Sequence, residues 1–390
     1  MNISEAVKPE TKLRTEAWSE EKFFQAEQEW QNLLNDSNAD PLFMSWYWMA
    51  NWWKLRKTER SKLNIIAVYQ DGKLVGIAPL YVESIRYFKG LLRSNCLQYM
   101  GKSVRGGSGI RAEYLSFILK SDIWEEVVKS ILSFIDMHIE WDEWYREDID
   151  YESAENSVVS KWLEARKCYG RLEYGGSSYA IDSSGDFEQY CASLGKHTRL
   201  KLLNRRKLLE SKGHVELKWL LPSDLDEYVE EINRWHQQRW GHDAFSGKSY
   251  LFLKSLVSEN SSLDFSYSSM LVLDKKPLSV MINVRIDNAV YNIQIGFIDN
   301  YDKRISLGTL HIGYVLESAF KDHKVNLFDF LEGQGKYKNY KERIAVENIK
   351  INTMKWIKSP ILKFLYLSYD KFLRKIRLAI KRFRFKRLDT

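Results

Sequence analysis

The sequence is poor in cysteine and has no cysteine motif. Its three cysteines, Cys96, Cys168 and Cys191, are odd in number and far apart, so they form neither a metal-binding pattern nor a disulfide framework. No window of about 18 residues is free of charge, so we expect no transmembrane helix. The start of the chain, Met1 to Trp18, is polar and lacks the apolar segment of a secretion signal. We therefore expect a cytoplasmic protein.

Signatures of metal and nucleophile chemistry are also missing. The seven histidines include no HExxH pair, and no CxxC motif or serine–histidine–aspartate arrangement stands out. We expect no metal. These absences favour direct group transfer, which needs orientation and acid–base help but no protein nucleophile. The 390 residues, 44% hydrophobic and 14% aromatic, are enough for two packed domains.

Positive charge is concentrated at the end of the chain. Residues 358–390 hold eleven Lys or Arg against Asp370 and Asp389, interleaved with apolar side chains. The whole chain carries +7 and this segment +9, so residues 1–357 sum to −2. The pattern predicts a basic amphipathic helix. Three interpretations stay open: packing on the body with a solvated basic face, peripheral contact of Lys358–Thr390 with an anionic membrane, or binding of an acidic partner such as RNA.

The most informative segment runs from Val290 to Lys338. It predicts a strand over Val290–Phe297, a polar loop, a helix over Leu307–Lys321 and a strand over Asn326–Phe330. A strand that leads into a helix through Arg304, Gly308 and Thr309 brings free backbone N–H groups and a positive helix end to one point. That arrangement suits a pyrophosphate or another anion.

Motifs in a fixed order extend this pattern over roughly residues 40 to 345. They are Phe43, Trp46 and Trp53; Gly76–Leu80; His236-x-x-Arg239-Trp240; Val272 through Val280; Gly296-Phe297; Tyr301; Gly308; and Asp329–Gly333 followed by Tyr337-Lys338. In this order they resemble the GNAT-type acyltransferases of the CelD/BioF2-like group. These enzymes are distant relatives of the FemABX aminoacyl transferases.

The resemblance implies an α/β (α+β) fold of two tandem GNAT-like domains. Each would hold a mixed, mostly antiparallel sheet flanked by helices, and a basic C-terminal helix would follow. The boundaries implied are 1–175, 176–347 with the acyl-carrier site, and 348–390. A weak internal repeat agrees, because both halves hold a hairpin with Asp71 or Asp274 at its turn. In this architecture a strand near Asn348–Trp356 crosses back to the first domain's sheet.

The resemblance also assigns roles to residues. The donor would be acetyl-CoA or another acyl-CoA, and its contacts are Gln294, Ile295, Arg304, Leu307, Gly308 and Thr309. Acid–base chemistry would fall to Glu332, Asp329 and Tyr337, with Glu332 orienting or deprotonating the amine and Tyr337 protonating a thiolate. The acceptor would meet His236, Arg239, Trp240 and Lys338. The expected acceptor is an amino sugar in bacterial exopolysaccharide or cell-surface synthesis.

One departure from the family pattern keeps a rival open. Arg304 lies four residues before Gly308, and the position two after that glycine is Leu310 rather than Gly or Ala. This leaves room for an aminoacyl-tRNA donor, as in the FemABX relatives. A third alternative is a non-catalytic GNAT-derived scaffold tethered to a membrane polysaccharide assembly.

Several other segments give weaker expectations. We predict a flexible lead over 1–20, a loop at the glycine cluster Gly101–Gly109, and a strand over Leu115–Leu119. The acidic stretch Glu140–Glu155 reads as a solvated loop or edge. The segment Phe187–Gly213 predicts a helix whose basic part, Lys196–Lys212, is either a solvated face or one wall of an interdomain groove.

Overall fold

The structure, a computed structural model, describes residues 12–101, 110–258, 263–333 and 338–372. The strands of these residues belong to one mixed sheet. They are Arg14–Trp18 (β1), Ser61–Gln70 (β2), Lys73–Tyr87 (β3), Leu92–Tyr99 (β4), Ile118–Leu119 (β5), Glu143–Asp150 (β6), Tyr169–Asp182 (β7), Val215–Trp219 (β8), Ser269–Leu273 (β9), Lys276–Ile286 (β10), Ala289–Phe297 (β11), Leu327–Glu332 (β12) and Val346–Ile357 (β13).

Helices cover both faces of the sheet. They are Glu20–Gln25 (α1), Glu27–Asn35 (α2), Trp46–Arg56 (α3), Trp124–His138 (α4), Ala154–Ala165 (α5), Phe187–Ser193 (α6), Lys196–Arg199 (α7), Arg206–Glu210 (α8), Leu225–Trp240 (α9), Lys248–Ser258 (α10), Leu307–Lys321 (α11), Lys338–Ile344 (α12) and 360–372 (α13). A π-helical turn, Leu200–Asn204, joins α7 and α8. Within the described ranges, no helix is long and apolar enough to cross a membrane.

The two halves of the chain repeat one unit. In the first half, β2, β3 and β4 form an antiparallel meander, and α4 then leads to β6, which runs parallel to β4. In the second half, β9, β10 and β11 form the meander, and α11 leads to β12, which runs parallel to β11. The predicted fold class, two tandem α+β units with mostly antiparallel sheets, is confirmed.

The last strands of the two halves are exchanged. β13 pairs with β6 of the first half on one side and with β7 on the other, and β7 in turn pairs with β12 of the second half. The strand predicted at Asn348–Trp356 therefore does cross back to the first half. Because of this exchange, the halves share one continuous sheet and cannot separate without breaking strand pairs.

Two hairpin turns follow from local sequence. Asp71 and Gly72 join β2 to β3, and Asp274 and Lys275 join β9 to β10; all four residues have positive φ, between 46° and 78°. Two-residue turns of this kind match the twist of the strands and favour Asp and Gly. The aspartates that marked the repeat in the sequence are thus the turn residues.

The prediction for the acidic stretch was wrong. Half of it forms β6, a central strand between β4 and β13, in which Glu143 and Asp148 are fully buried. Glu143 accepts hydrogen bonds from Tyr87 and Ser94 at 2.7 and 2.8 Å, and its other oxygen lies 3.5 Å from Lys355 Nζ. Hydrogen bonds and ion pairs with residues distant in the sequence therefore replace water around these buried carboxylates.

Other boundaries also differ. The expected flexible lead contains β1, which pairs with β2, and the expected Leu115–Leu119 strand is only Ile118–Leu119. The expected 187–213 helix is interrupted at Leu194 and Gly195. Its basic part packs on α11, where Arg206 binds Glu317 and lies 4.0 Å from the Tyr314 ring centroid. Most of the glycine cluster, 102–109, lies outside the described residues.

Candidate functional site

A cavity of about 680 Å³ lies where β11 and β12 part, beside the start of α11. The two strands pair at three positions only, the last being Tyr291 with Asp329. Beyond it, the wall is built by β11, by the end of β12, by α9 and by a loop of the first half. Its lining residues include Ile110, Arg111, Glu113, His236, Arg239, Trp240, Asn292 to Ile295, Phe297, Ser306, Gly308, Thr309, Leu331, Glu332, Gly333, Tyr340 and Lys341.

Two irregularities open the strands. The register of β11 against β10 shifts at Ile293, directly after the last pair with β12. In β12, Leu331 has φ +59°, and the register against β7 shifts between Asp329 and Glu332. Bulges of this kind bend a strand and end its pairing. They leave one edge of Asn292–Phe297 without a partner strand in the described chain, so its backbone groups face the cavity.

The start of α11 points at the same space. Ser306 precedes the helix but makes no side-chain cap; its hydroxyl lies 3.0 Å from that of Thr309 instead. The N–H groups of the first turn have no intrahelical partners, and that turn carries no acidic residue. A β-carbon at Gly308 would lie 2.7 Å from the Phe297 ring, so the helix approaches β11 closely only because this residue is glycine. The arrangement suits an anion.

Most of the predicted site residues meet at this cavity. His236, Arg239, Trp240, Gln294, Ile295, Gly308, Thr309 and Glu332 all line it. Tyr337 lies outside the described residues, and Lys338 begins α12. The roles assigned to these residues from the sequence stay predictions.

Three predicted residues do not line the cavity. Arg304 is exposed and forms an ion pair with Asp302 at 2.9 Å, two residues away. Leu307 is buried in an apolar cluster with Ile305 and Leu310. Asp329 lines a separate cavity of about 480 Å³, where it accepts a 2.8 Å hydrogen bond from Tyr114, and burial raises the pKa of Asp329 to about 6. The side chains at these positions point away because loop and strand geometry, which spacing alone does not reveal, decides their direction.

Glu332 is held by Arg111, a residue that the sequence analysis missed. Arg111 binds Asp148 of β6 through Nε and a terminal nitrogen, both at 2.7 Å, and binds Glu332 of β12 through its other terminal nitrogen. Tyr174 also donates to Glu332. Asp148 and Glu332 are buried carboxylates at matching positions of the repeated units, so one guanidinium joins the two halves beside the cavity.

Glu113 is the second residue that was missed. It is 2% exposed, lines the cavity and accepts the Glu332 N–H at 2.8 Å. Burial raises the pKa of Glu113 to about 8, although the nearby Arg111 acts in the opposite direction. A carboxyl group that gains or loses a proton near neutral pH is suited to acid–base chemistry. The only sign of a site in the sequence was that two charged residues, Arg111 and Glu113, closely follow a glycine-rich run.

Lys341 completes the polar wall of the cavity. Its ammonium group donates to the carbonyl oxygens of Phe330, Leu331 at 3.2 Å and Glu332 at 2.7 Å, and so fixes the bent end of β12. Burial lowers the pKa of Lys341, against the pull of Glu113 and Glu332. Arg111 and Lys341 thus bring two basic groups to the buried carboxyl groups of Asp148, Glu332 and Glu113.

The opposite wall presents polar groups from α9. His236 Nδ1 lies 2.7 Å from the carbonyl oxygen of His242, which requires the proton on Nδ1 and leaves Nε2 as an acceptor in the neutral ring. Arg239 lies 5.4 Å from the Trp240 ring centroid and 3.5 Å from Asp299. This wall therefore combines an imidazole acceptor, a cation and a half-exposed aromatic ring.

Aromatic side chains pack near the matching strands of the first half. β4 and β6 also pair at only three positions, but rings of Tyr99, Phe117 and Trp144 pack there at centroid distances of 5.7 to 6.5 Å. The first turn of α4 carries Glu125 and Glu126, which disfavour an anion at that helix start. Among the residues that the structure describes, the second unit combines an open gap with an acid-free helix start.

Comparisons with known proteins agree with this geometry. Residues 196–341, which contain β11, α11 and β12, match the model of the acetyltransferase (GNAT) domain family. The fold is similar to that of FemX, with a TM-score of 0.60 at 12% identity over 90% of this chain and 99% of that one. It is also similar to a conserved protein of unknown function from Bacteroides thetaiotaomicron VPI-5482, with a TM-score of 0.52 at 11% identity over 89% and 100% of the two chains. No curated protein sequence matches the chain.

The Arg111 bridge makes a prediction about stability. Arg111→Met removes the counter-charge of Asp148 and Glu332, which are buried, so we expect the free energy of unfolding to fall by about 3 kcal/mol. Urea unfolding measures this loss. Arg166→Met is the control, because its 2.7 Å pair with Asp136 is partly exposed and should be worth at most about 1 kcal/mol. Equal losses in the two variants would contradict a special role for Arg111.

Proposed function

We propose that this chain is an N-acyltransferase that moves an acyl group from acetyl-CoA or a longer acyl-CoA to an amine. The observation that carries the proposal is the cavity between the parted strands β11 and β12, at the acid-free start of α11. Most of its lining residues lie in the segment 196–341 that matches the GNAT domain family. Its volume falls in the range of roughly 300–1,000 Å³ usual for small-molecule sites.

The wall of the cavity offers groups suited to a thioester donor with a pyrophosphate. The open edge of Asn292–Phe297 can hydrogen-bond an amide-bearing arm as an added strand would. The N–H groups of Gly308 and Thr309, at a positive helix end, suit the phosphates. Arg239 adds a cation at the same wall.

The proton route uses Glu113. The amine nitrogen attacks the acyl carbon, the carbon–sulfur bond breaks, and one proton must leave the nitrogen while one reaches the sulfur. Glu113 accepts the first as a carboxylate and can return it to the thiolate. Glu332, the base expected from the sequence, is already bound by Arg111 and Tyr174, and we assign it to orienting the site. Tyr337 remains the proposed alternative donor to the thiolate.

The acceptor is proposed from resemblance. An amino sugar in bacterial exopolysaccharide or cell-surface synthesis is the acceptor expected of the CelD/BioF2-like group. His236 Nε2 and the exposed Trp240 ring supply a hydrogen-bond acceptor and an apolar face, the two features a sugar ring requires. Lys338, at the start of α12, is proposed to meet an acidic group of the acceptor.

One observation favours an aminoacyl-tRNA donor as the second candidate. Arg304, the expected pyrophosphate contact, is paired with Asp302 away from the cavity. In the basic segment Lys196–Lys212, Arg206 and Lys212 are paired with Glu317 and Asp302, which reduces the charge that this segment offers to tRNA. We therefore keep acyl-CoA as the first choice.

Calorimetric titration with acetyl-CoA, CoA and charged tRNA tests the donor. We expect micromolar or tighter binding of acetyl-CoA that is weakened at least tenfold by Thr309→Glu, because a carboxylate at the helix start repels phosphate. Thr309→Gln, of equal size and no charge, is the matched control and should bind almost normally. Tight, salt-sensitive binding of charged tRNA alone would favour the second candidate. No binding of any donor would favour a non-catalytic scaffold.

Glu113→Gln tests the proton route. The amide still accepts the Glu332 N–H, but it cannot take a proton, so we expect kcat to fall by about 10² to 10⁴ with donor affinity unchanged. The wild-type rate should rise with pH through about 8, as Glu113 ionises, and this limb should vanish in the variant. If the rate of the variant still rises with pH, that rise reports the deprotonation of the amine substrate. Normal turnover in the variant would exclude Glu113 as the base.

Stability provides an internal check on the same variant. Because its folded pKa is raised, Glu113 contributes stability below its unfolded pKa near 4 and loses it as pH rises through about 8. Glu113→Gln has no such dependence. The variant should therefore remain folded at the alkaline pH of the assay, and its lost turnover cannot be ascribed to unfolding.

A further inference from the structure

The C-terminal helix α13 packs on the body through one face only. Leu362 is 3% exposed; Tyr366 lies 2.9 Å from Lys355 Nζ and 3.3 Å from the Tyr87 hydroxyl; and Asp370 binds Arg171. These three residues are spaced four apart and share a face of the helix. The start of the predicted basic tail is therefore a structural part of the fold.

Another side of α13 carries exposed apolar residues. Ile361, Phe364 and Phe372 are 62%, 70% and 60% exposed. At 100° per residue Phe364 lies opposite the packed face, and Ile361 and Phe372 flank it on one side, together with the exposed Ser368. A helix that packs one face on a protein normally presents polar residues on the other. This side of α13 has no cover among the described residues.

A second open apolar element lies beside the helix. The turn between β3 and β4 presents Phe88 at 62% and Leu91 at 91% exposure. Phe88 and Lys89 both have positive φ, a conformation that non-glycine residues rarely adopt. The turn directly follows Tyr87, whose hydroxyl meets Tyr366 of α13. Two segments far apart in sequence thus bring exposed apolar residues to one end of the sheet.

Basic side chains surround these residues. Lys89 is exposed on the turn, Arg93 at the start of β4 and Lys371 on the helix. Asp370 pairs with Arg171, which also binds Glu173. The sequence after Phe372 adds eight Lys or Arg against Asp389 alone. An apolar surface with a basic rim is complementary to an anionic lipid surface, whose headgroups attract the cations while the apolar side chains enter the interface.

We propose that α13 and the turn Phe88–Leu91 form a docking surface for an anionic bilayer. The surface binds reversibly and does not insert, because its apolar residues belong to a short helix and a turn. Its position leaves the donor cavity, on the second half of the sheet, free of the lipid. The proposal does not depend on the identity of the acyl donor.

Vesicle sedimentation tests the proposal with the full chain. The probes are vesicles of phosphatidylcholine alone and of equal parts phosphatidylcholine and phosphatidylglycerol. We expect binding to the anionic vesicles only, weakened by salt. The pairs Phe364→Ser with Phe372→Ser, and Phe88→Ser with Leu91→Ser, should each lower the partition coefficient about tenfold or more. Leu221→Ser with Leu251→Ser, exposed apolar residues of the second half, is the matched control and should change nothing.

Three outcomes would overturn the proposal. The first is equal binding by the wild-type chain and both variant pairs. The second is tighter vesicle binding by a chain that ends at Phe372 than by the full chain. Residues 373–390 would then cover the exposed side of α13 in the full chain. The third is loss of self-association in the variants, measured by ultracentrifugation, with no vesicle binding by the wild type. If the variant Phe364→Ser with Phe372→Ser unfolds, the variant Phe88→Ser with Leu91→Ser still tests the proposal.

Discussion

The Arg111 guanidinium is the contact on which the rest of the structure depends. It lies between Asp148 of β6 and Glu332 of β12, matching positions in two units that repeat the same meander, helix and parallel strand. The exchanged strands β7 and β13 bring these carboxylates together, and without a shared cation both would be buried without a counter-charge. Arg111 and Glu332 also line the cavity, so this ion pair contributes both to the contact between the two halves and to the shape of the candidate site.

The two halves share a fold but differ in the space between their parallel strands and in the first turn of the helix beside it. In the second half, bulges at Ile293 and Leu331 part the strands, and α11 begins without a carboxylate. In the first half, aromatic rings pack near the strands, and the first turn of α4 carries Glu125 and Glu126. The first half instead contributes Arg111 and Glu113 to the neighbour's cavity. Of the two repeated units, the second thus holds the open gap, and the first contributes two side chains to its wall.

Local signals in the sequence predicted much of the second half. The Asp274 turn and the bounds of α11 depend on neighbouring residues, and the structure confirms them. The buried strand β6 and the roles of Arg111 and Glu113 depend on partners more than 30 residues away. The acidic stretch Glu140–Glu155 was predicted to be exposed to solvent because its sequence does not show which basic residues pair with it in the fold. The sequence analysis assigned Arg304 to the site from its spacing to Gly308. That spacing does not reveal that Arg304 pairs with Asp302 instead.

Hydrogen exchange with and without CoA tests the central claim most directly. If the donor lies between the parted strands, CoA will slow amide exchange over Asn292–Phe297 and in the first turn of α11, where N–H groups without protein partners gain acceptors. The matching amides of β4 and the first turn of α4 will exchange at unchanged rates. Protection of β4 and α4 instead, or no protection in either half, would contradict the account.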